Sequence, residues 1–126
     1  MIRVLVVDDH PVIRAGLEAV LRSEPGFVCV GSAGDGHELL ATLRRTRPDV
    51  VLLDWRLGND DGVTLCRTVR AEPAAPEVVL YTASTSDVLE EQAAEAGAHA
   101  VIEKAADIDV LFDALRLAVR GSRRAA

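Results

Sequence analysis

Asp8 and Asp9, Asp54, Thr82 and Lys104 are the residues of this chain whose types and spacing could do chemistry. Each follows a short apolar run: Ile2–Val7 with Arg3 inside it, residues 50–53, residues 78–81, and residues 100–102 with Glu103 between. If those runs are neighbouring parallel strands, three carboxylates, a hydroxyl and an ammonium converge on one edge of one sheet. Carboxylates about 4 Å apart repel by roughly 4 kcal/mol at an effective dielectric near 20, so a proton or a divalent cation must relieve them. Magnesium takes oxygen ligands and is satisfied by few carboxylates plus water. The grouping therefore points to a magnesium site built around a phosphorylatable aspartate. A solvated acidic rim, common at strand ends, is the alternative for Asp8 and Asp9 alone, but it leaves the phasing of Asp54, Thr82 and Lys104 without a cause.

The elements that must position these residues are legible in the alternation of short β-branched runs with longer helical periods. Strand-like runs fall at Ile2–Val7 and residues 27–30, 50–53, 78–81 and 100–102. Between them Ile13, Leu17, Val20 and Leu21 recur at helical spacing, as do Leu39, Leu40 and Leu43, then Val63, Cys66 and Val69. The last stripe is Ile108, Leu111, Leu115 and Ala118, with Phe112 beside it. Strands alternating with helices predict an α/β protein, a five-stranded parallel sheet covered on both faces. Pro11 suits a helix N1 position, where a missing N–H costs nothing. Pro25-Gly26 ends the first helix, Pro48 precedes the third strand, Asp60 or Asp61 caps the third helix, and Pro73 and Pro76 frame the turn into the fourth strand. The fourth helix, near residues 87–96, is Ala-rich and acidic with only Val88 and Leu89 as large apolar residues, which makes it a candidate moving part.

Bulk properties narrow the function classes. A chain of 126 residues is expected to form one domain. Its net charge of −6 argues against a generic nucleic-acid surface, which needs a basic face. Arg116, Arg120, Arg123 and Arg124 are a local exception, expected to be a solvated helix end. Cys29 and Cys66 have neither metal-ligand spacing nor a C-x-x-C partner and are expected to be buried reduced thiols. No signal peptide pattern or membrane-length apolar run is present, and a cytoplasmic protein without membrane association is expected.

VLVVDDHPVIRAGLEAVL, VVLLDW, VVLYTAS and AVIEKA, in that order over nearly the whole chain, resemble the receiver domain of two-component response regulators. The His-Pro after Asp8-Asp9 resembles receivers that carry a LuxR-type helix-turn-helix output domain. The resemblance implies a flavodoxin-like doubly wound (βα)5 fold with strand order 2-1-3-4-5, in which strands 1 and 3 meet where the winding direction reverses. It implies a receiver over residues 1–120, with 121–126 a tail or the start of a linker. It also implies a signalling domain that is not an enzyme on a separate substrate and catalyses only its own phosphorylation and dephosphorylation. Asp54 is then the nucleophile for a phosphoryl group donated by a sensor histidine kinase. Asp8, Asp9, Asp54 and the backbone carbonyl of Arg56 hold Mg2+. Lys104 pairs with a phosphoryl oxygen, Thr82 turns inward to bond another, and the small Ala83 leaves access. The output face is helix 4, strand 5 and helix 5, with a homodimer through it, or through helices 1 and 5, among the expected partners. DNA is reached only through an output domain not in this chain.

Two positions depart from the family pattern. Val101 stands where an aromatic residue usually precedes the strand-5 lysine, which removes the usual coupling of the threonine to an aromatic side chain. Tyr81, next to Thr82, is expected by strand alternation to point elsewhere. Gly58 replaces the usual proline after the phosphorylated aspartate, so the loop at residues 58–62 is expected to be looser. His10 is expected to pack or cap rather than relay protons, Trp55 to pack on the helix side, Glu90 and Glu91 to be solvated, and His37 and His99 to have no role. Three other functions compete. The first is a degenerate receiver used as a phosphorylation-independent scaffold, motivated by Val101 and Gly58. The second is an aspartate-nucleophile phosphatase of the haloacid dehalogenase type, opposed by the contiguous pair where that class has D-x-D. The third is a flavodoxin, opposed by the lack of a phosphate loop after strand 1.

Overall fold

A computed structural model describes residues 1–125, and the side chains of residues 1–122. The elements run β1 (Ile2–Val7), α1 (Pro11–Ser23), β2 (Phe27–Ala33), α2 (Gly36–Thr46), β3 (Val50–Asp54), β4 (Arg56–Leu57), β5 (Asp60–Asp61), α3 (Gly62–Arg70), β6 (Glu77–Thr82), α4 (Asp87–Glu95), β7 (Ala100–Glu103) and α5 (Ile108–Ala125). The main sheet is parallel, in the order β2-β1-β3-β6-β7, which is the expected doubly wound order with β6 and β7 as its fourth and fifth strands. β4 and β5 form a separate two-stranded antiparallel ribbon.

Alternation along the strands divides the core in two. Leu5, Val7, Val51, Leu53, Val78 and Leu80 face one cluster with Leu39, Leu43, Val63, Cys66 and Leu89 of α2, α3 and α4. Val4, Val6, Val50, Leu52 and Val79 face the other, with Leu17 and Leu21 of α1 and Leu111, Phe112 and Leu115 of α5. The three central strands are thus buried on both faces, which is why they read as unbroken apolar runs. Aliphatic side chains dominate this core, with Phe27 and Phe112 in contact at 5.2 Å between ring centroids.

Several expectations are corrected. The second strand extends past residue 30 to Ala33, because a bulge between Val4 and Leu5 skips Val30 and resumes pairing at Gly31. Backbone pairing carries Gly31, Ser32 and Ala33, which have no β-branched signal of their own. Ile108 is exposed, and Phe112 takes a core place with Leu111 and Leu115. Cys29 is only half-buried, while burial pushes the Cys66 thiol up to about 11. Arg116 is no free helix end: it pairs with Glu24 at 2.9 Å and stacks over Phe27 and Phe112. Arg120 is exposed, and the side chains of Arg123 and Arg124 lie outside the described residues. α5 continues through Gly121 to Ala125, so residues 121–125 prolong the helix, and residue 126 lies outside the described residues. No helix among the described residues is long and apolar enough to cross a membrane.

Capping follows the sequence. Pro11 opens α1, Asp61 accepts from the Val63 N–H, and Ser86 accepts from the Leu89 N–H. α4 is anchored by Leu89 and Ala93 alone, with Val88 exposed. Leu115→Ala, at a fully buried position, should cost about 2–5 kcal/mol by loss of burial and cavity formation. Leu117→Ala on the exposed side of the same helix should change stability by no more than about 0.5 kcal/mol. Urea midpoints of the two variants check the assignment, and equal losses would contradict the two-faced α5.

Candidate functional site

The register of the sheet brings the chemistry together. Val7 pairs with Leu53, so Asp8, one residue on, lies level with Asp54 at the end of β3. Asp54 pairs with Tyr81 on the other side, and Thr82 follows. The Lys104 N–H donates to the Thr82 carbonyl at 2.7 Å, which fixes where the lysine leaves the sheet. The Lys104 Nζ lies 3.3 Å from Asp54 Oδ1 and 3.6 Å from Asp8 Oδ2, and sits over the Tyr81 ring at 5.3 Å from its centroid. Asp8, Asp54 and Thr82 are buried, and Asp9 is half-buried. A cavity of about 360 Å3 opens over Asp54 and Thr82, lined also by His10, Ala83 and Lys104. A larger cleft of about 710 Å3 lies at the opposite end of the sheet, beside Arg44 and Pro73, away from every residue with candidate chemistry.

Charge is out of balance here. The Asp54 carboxyl is held above the ordinary carboxylate range by burial, and next by the charge of Asp8. Lys104 and the Arg56 N–H, which donates to Asp54 Oδ1 at 3.3 Å, pull it the other way without cancelling the rise. Asp8 Oδ2, Asp9 Oδ1 and Asp54 Oδ2 are buried oxygens with no hydrogen-bond partner among the described residues. A buried anionic oxygen without a partner is costly, and hard oxygen donors of this kind suit Mg2+. The residues present therefore fit the expected metal.

The loop below the site is not loose as expected from Gly58. β4 and β5 pair Arg56 with Asp61 and Leu57 with Asp60, and Leu57 is buried. Gly58 adopts φ +61°, a conformation that glycine tolerates, and its N–H donates to Asp9 Oδ2 at 2.8 Å. Proline has no N–H to make that bond. The substitution thus tethers the loop to a candidate metal ligand. Gly62 carries no motif of its own in the sequence, yet an added Cβ would lie 2.6 Å from the Trp55 carbonyl oxygen and 2.8 Å from that of Asp54. Asp60 Oδ2 accepts from the Gly36 N–H at 3.1 Å and ties the ribbon to the start of α2.

His10 departs from its expected role. Its ring neither packs nor caps: it occupies the N-cap of α1 with no side-chain cap bond, and its Nδ1 lies 3.0 Å from Asp8 Oδ1. The signal was its place directly after the acidic pair. Tyr81 points as alternation requires, into the cluster beneath α1 and α5, whereas Val101 packs on the opposite side. Trp55 packs against the cluster of α2 and α3, as expected. Thr82 Oγ1 donates to the Ser84 carbonyl at 3.0 Å and accepts from the Ser84 N–H, so its hydroxyl is engaged by its own loop. Glu90 and Glu91 are exposed.

Residues 4–116 match the family model described as the response regulator receiver domain. The chain belongs to that family. It is 33% identical over 121 residues to the transcriptional regulatory protein LiaR of Bacillus subtilis, covering 96% of this chain and 57% of that one. It is 32% identical over 123 residues to the nitrate/nitrite response regulator NarP of Escherichia coli, covering 96% and 56% respectively. Among solved structures it superposes on a LuxR-family two-component response regulator from Aurantimonas with a TM-score of 0.89. The identity is 30%, over 94% of this chain and 85% of that one. The receiver is thus of the type found in LuxR-family regulators, and the chain spans a little over half the length of the curated relatives it matches.

Two outcomes follow for the metal-free receiver. Because the Asp54 pKa is raised in the folded state, its charge opposes folding above that pKa, and the opposition fades as pH falls through it. Asp54→Asn should therefore melt at a higher temperature than the parent at neutral pH, with the gap closing toward acid. A lower melting temperature at pH 7 would refute this charge imbalance. Gly62→Ala should lose about 1–3 kcal/mol through overpacking against backbone. Gly16→Ala, with open space around it in α1, should gain up to about 1 kcal/mol; chemical denaturation of both variants checks the contrast.

Proposed function

We propose that the receiver is a phosphoacceptor switch of two-component signalling, in which Asp54 takes a phosphoryl group from the phosphohistidine of a sensor histidine kinase. The observation that carries this reading is Asp54 itself, buried at the strand end with one oxygen facing Lys104 and the other without a partner beside Asp8. As the Asp54 oxygen bonds phosphorus, the P–N bond breaks and the histidine nitrogen keeps its electron pair. Mg2+, held by Asp8, Asp9, Asp54 and the backbone carbonyl of Arg56, supplies neutralisation of phosphoryl charge. Lys104 is already aimed at Asp54 and needs little rearrangement to pair with a phosphoryl oxygen. Ala83 lines the cavity and leaves the approach open.

Switching is a transfer of one hydroxyl. Thr82 is bonded to Ser84 in this state, and a phosphoryl oxygen offers it a charged acceptor instead. Leaving Ser84 frees the loop before α4. That loop is also tied to β7, because the Thr85 N–H donates to Glu103 Oε1 at 3.1 Å. Movement of Thr82 therefore reaches α4, held by few apolar contacts, and the β7–α5 surface beside it without needing an aromatic at Val101. This face would engage an output domain outside this chain, through which DNA is regulated, or a second copy of the receiver.

Titration with Mg2+ should give a saturable change in Trp55 fluorescence, since Trp55 follows Asp54 directly and is the one Trp of the chain. Beryllofluoride or acetyl phosphate should then give a further change that Asp54→Asn abolishes. No magnesium response and no adduct by intact mass would leave the scaffold reading in its place. Thr82→Ala should still form the adduct, yet fail to alter hydrogen exchange across residues 83–89. An unchanged exchange response in that variant would show that Thr82 does not couple the site to α4.

A further inference from the structure

His10 is surrounded by more carboxylate than one hydrogen bond can explain. Its Nδ1 lies 3.0 Å from Asp8 Oδ1, 3.0 Å from Asp9 Oδ1 and 4.0 Å from Asp54 Oδ2. A ring nitrogen offers either one N–H or one lone pair, so it serves one of those oxygens and leaves the others unserved. Asp8 Oδ1 already accepts from the His10 backbone N–H at 2.8 Å, and Asp9 Oδ1 remains without a hydrogen bond. Asp8 and Asp54 are more than nine-tenths buried; Asp54 Oδ2 has no hydrogen-bond partner, and Asp8 Oδ2 has only the Lys104 ion pair at 3.6 Å.

The spacing is that of ligands around one ion. Donors about 2.1 Å from an octahedral cation stand about 3.0 Å apart when adjacent and about 4.2 Å apart when opposite. Asp8 and Asp9 have the adjacent separation from Nδ1, and Asp54 is close to the opposite one. One donor atom from each of Asp8, Asp9, His10 and Asp54 lies within 4.8 Å of all the others. Two backbone features hold this arrangement. Gly58 engages Asp9 Oδ2 and leaves Oδ1 to face the ring, while Pro11 starts α1 directly after His10.

We infer that His10 Nδ1 is a protein ligand of the ion bound by Asp8, Asp9 and Asp54. The mixed nitrogen and oxygen donor set then favours divalent transition metals such as Mn2+, Co2+ and Zn2+ relative to an all-oxygen receiver site. This deepens the proposed function and rests on its assignment of the acidic cluster as a metal site. Imidazole suits transition metals, whereas Mg2+ prefers oxygen, so the nitrogen changes selectivity more than it changes magnesium binding. Ligation takes the tautomer with its proton on Nε2 and the lone pair on Nδ1.

The test is calorimetric titration of the whole chain with Mg2+, Mn2+ and Co2+, together with pulsed electron paramagnetic resonance of the Mn2+ form. The parent should show 14N hyperfine coupling from a directly bound imidazole. His10→Ala and His10→Gln should lose that coupling and lower the Co2+-to-Mg2+ affinity ratio by at least about tenfold. His37→Ala, at an exposed histidine elsewhere, should do neither. Bound Mn2+ without nitrogen coupling, an unchanged ratio in both His10 variants, or uniformly tighter binding of all three ions in those variants would overturn the inference alone. The last result would identify the ring as a plug that the metal displaces. Failure of the parent to bind any of the ions would overturn both this inference and the metal site on which it rests.

Discussion

Three carboxylates at the carboxyl edge of a parallel sheet face one ammonium, and that imbalance is the constraint on which the rest of the architecture depends. Asp8 and Asp54 are buried side by side because β1 and β3 are adjacent and in register, and Lys104 reaches both from β7 across β6. A fold selected for stability alone has no use for such a group: burial and the neighbouring charge both oppose ionisation of Asp54. The cost is tolerated because the surrounding core is dense and aliphatic, with the strands that carry the carboxylates buried on both faces. On the proposed function, neither a cation nor a tetrahedral anion would have to assemble the charges first, because they already stand together in this state.

Positioning comes from backbone more than from side chains. The ribbon of β4 and β5 presses Gly62 against the carbonyls of Asp54 and Trp55, and Asp61 starts α3 from the same point. Gly58 closes the ribbon and donates to Asp9 across the chain. On the other side, the Arg14 guanidinium donates to the Asp8 carbonyl at 3.0 Å, linking α1 to the turn that holds the acidic pair. Each of these is a short contact to a group whose neighbour in sequence is a candidate ligand or nucleophile. Small displacements of the ribbon or of α1 are therefore felt at the site.

The two faces of the sheet divide the labour. Tyr81 pairs with Ile102 and Val101 with Leu80, so Tyr81 and Val101 pack to opposite sides, and the Tyr81 ring lies beneath Lys104. Between Thr82 and α4 the contacts are hydrogen bonds of the intervening loop, Thr82 with Ser84 and the Thr85 N–H with Glu103. Hydrogen bonds of this kind exchange partners readily when a better acceptor arrives, whereas the packed aliphatic layers on either side do not rearrange. The switch of the proposed function would therefore reside in the loop while the sheet stays fixed.

The alternation of strands and helices, the two-sided burial of the central strands and the residues that end them are legible in the order of the amino acids. Those features rest on local periodicity and on single positions such as Pro11 and Asp61, whose preferences act within a turn of chain. The resemblance supplied the strand order, and with it the meeting of Asp8, Asp9, Asp54 and Lys104. Tertiary structure alone decided what happens between distant segments. It carried β2 through Gly31, Ser32 and Ala33 by pairing with β1 across a bulge, and exposed Ile108 while burying Phe112. It turned Gly58 from a point of looseness into a donor for Asp9, and aimed His10 at the carboxylates instead of the helix end. None of these has a local signature, because each depends on where a polar group or an apolar face from elsewhere in the chain arrives, and that is set only when the layers close.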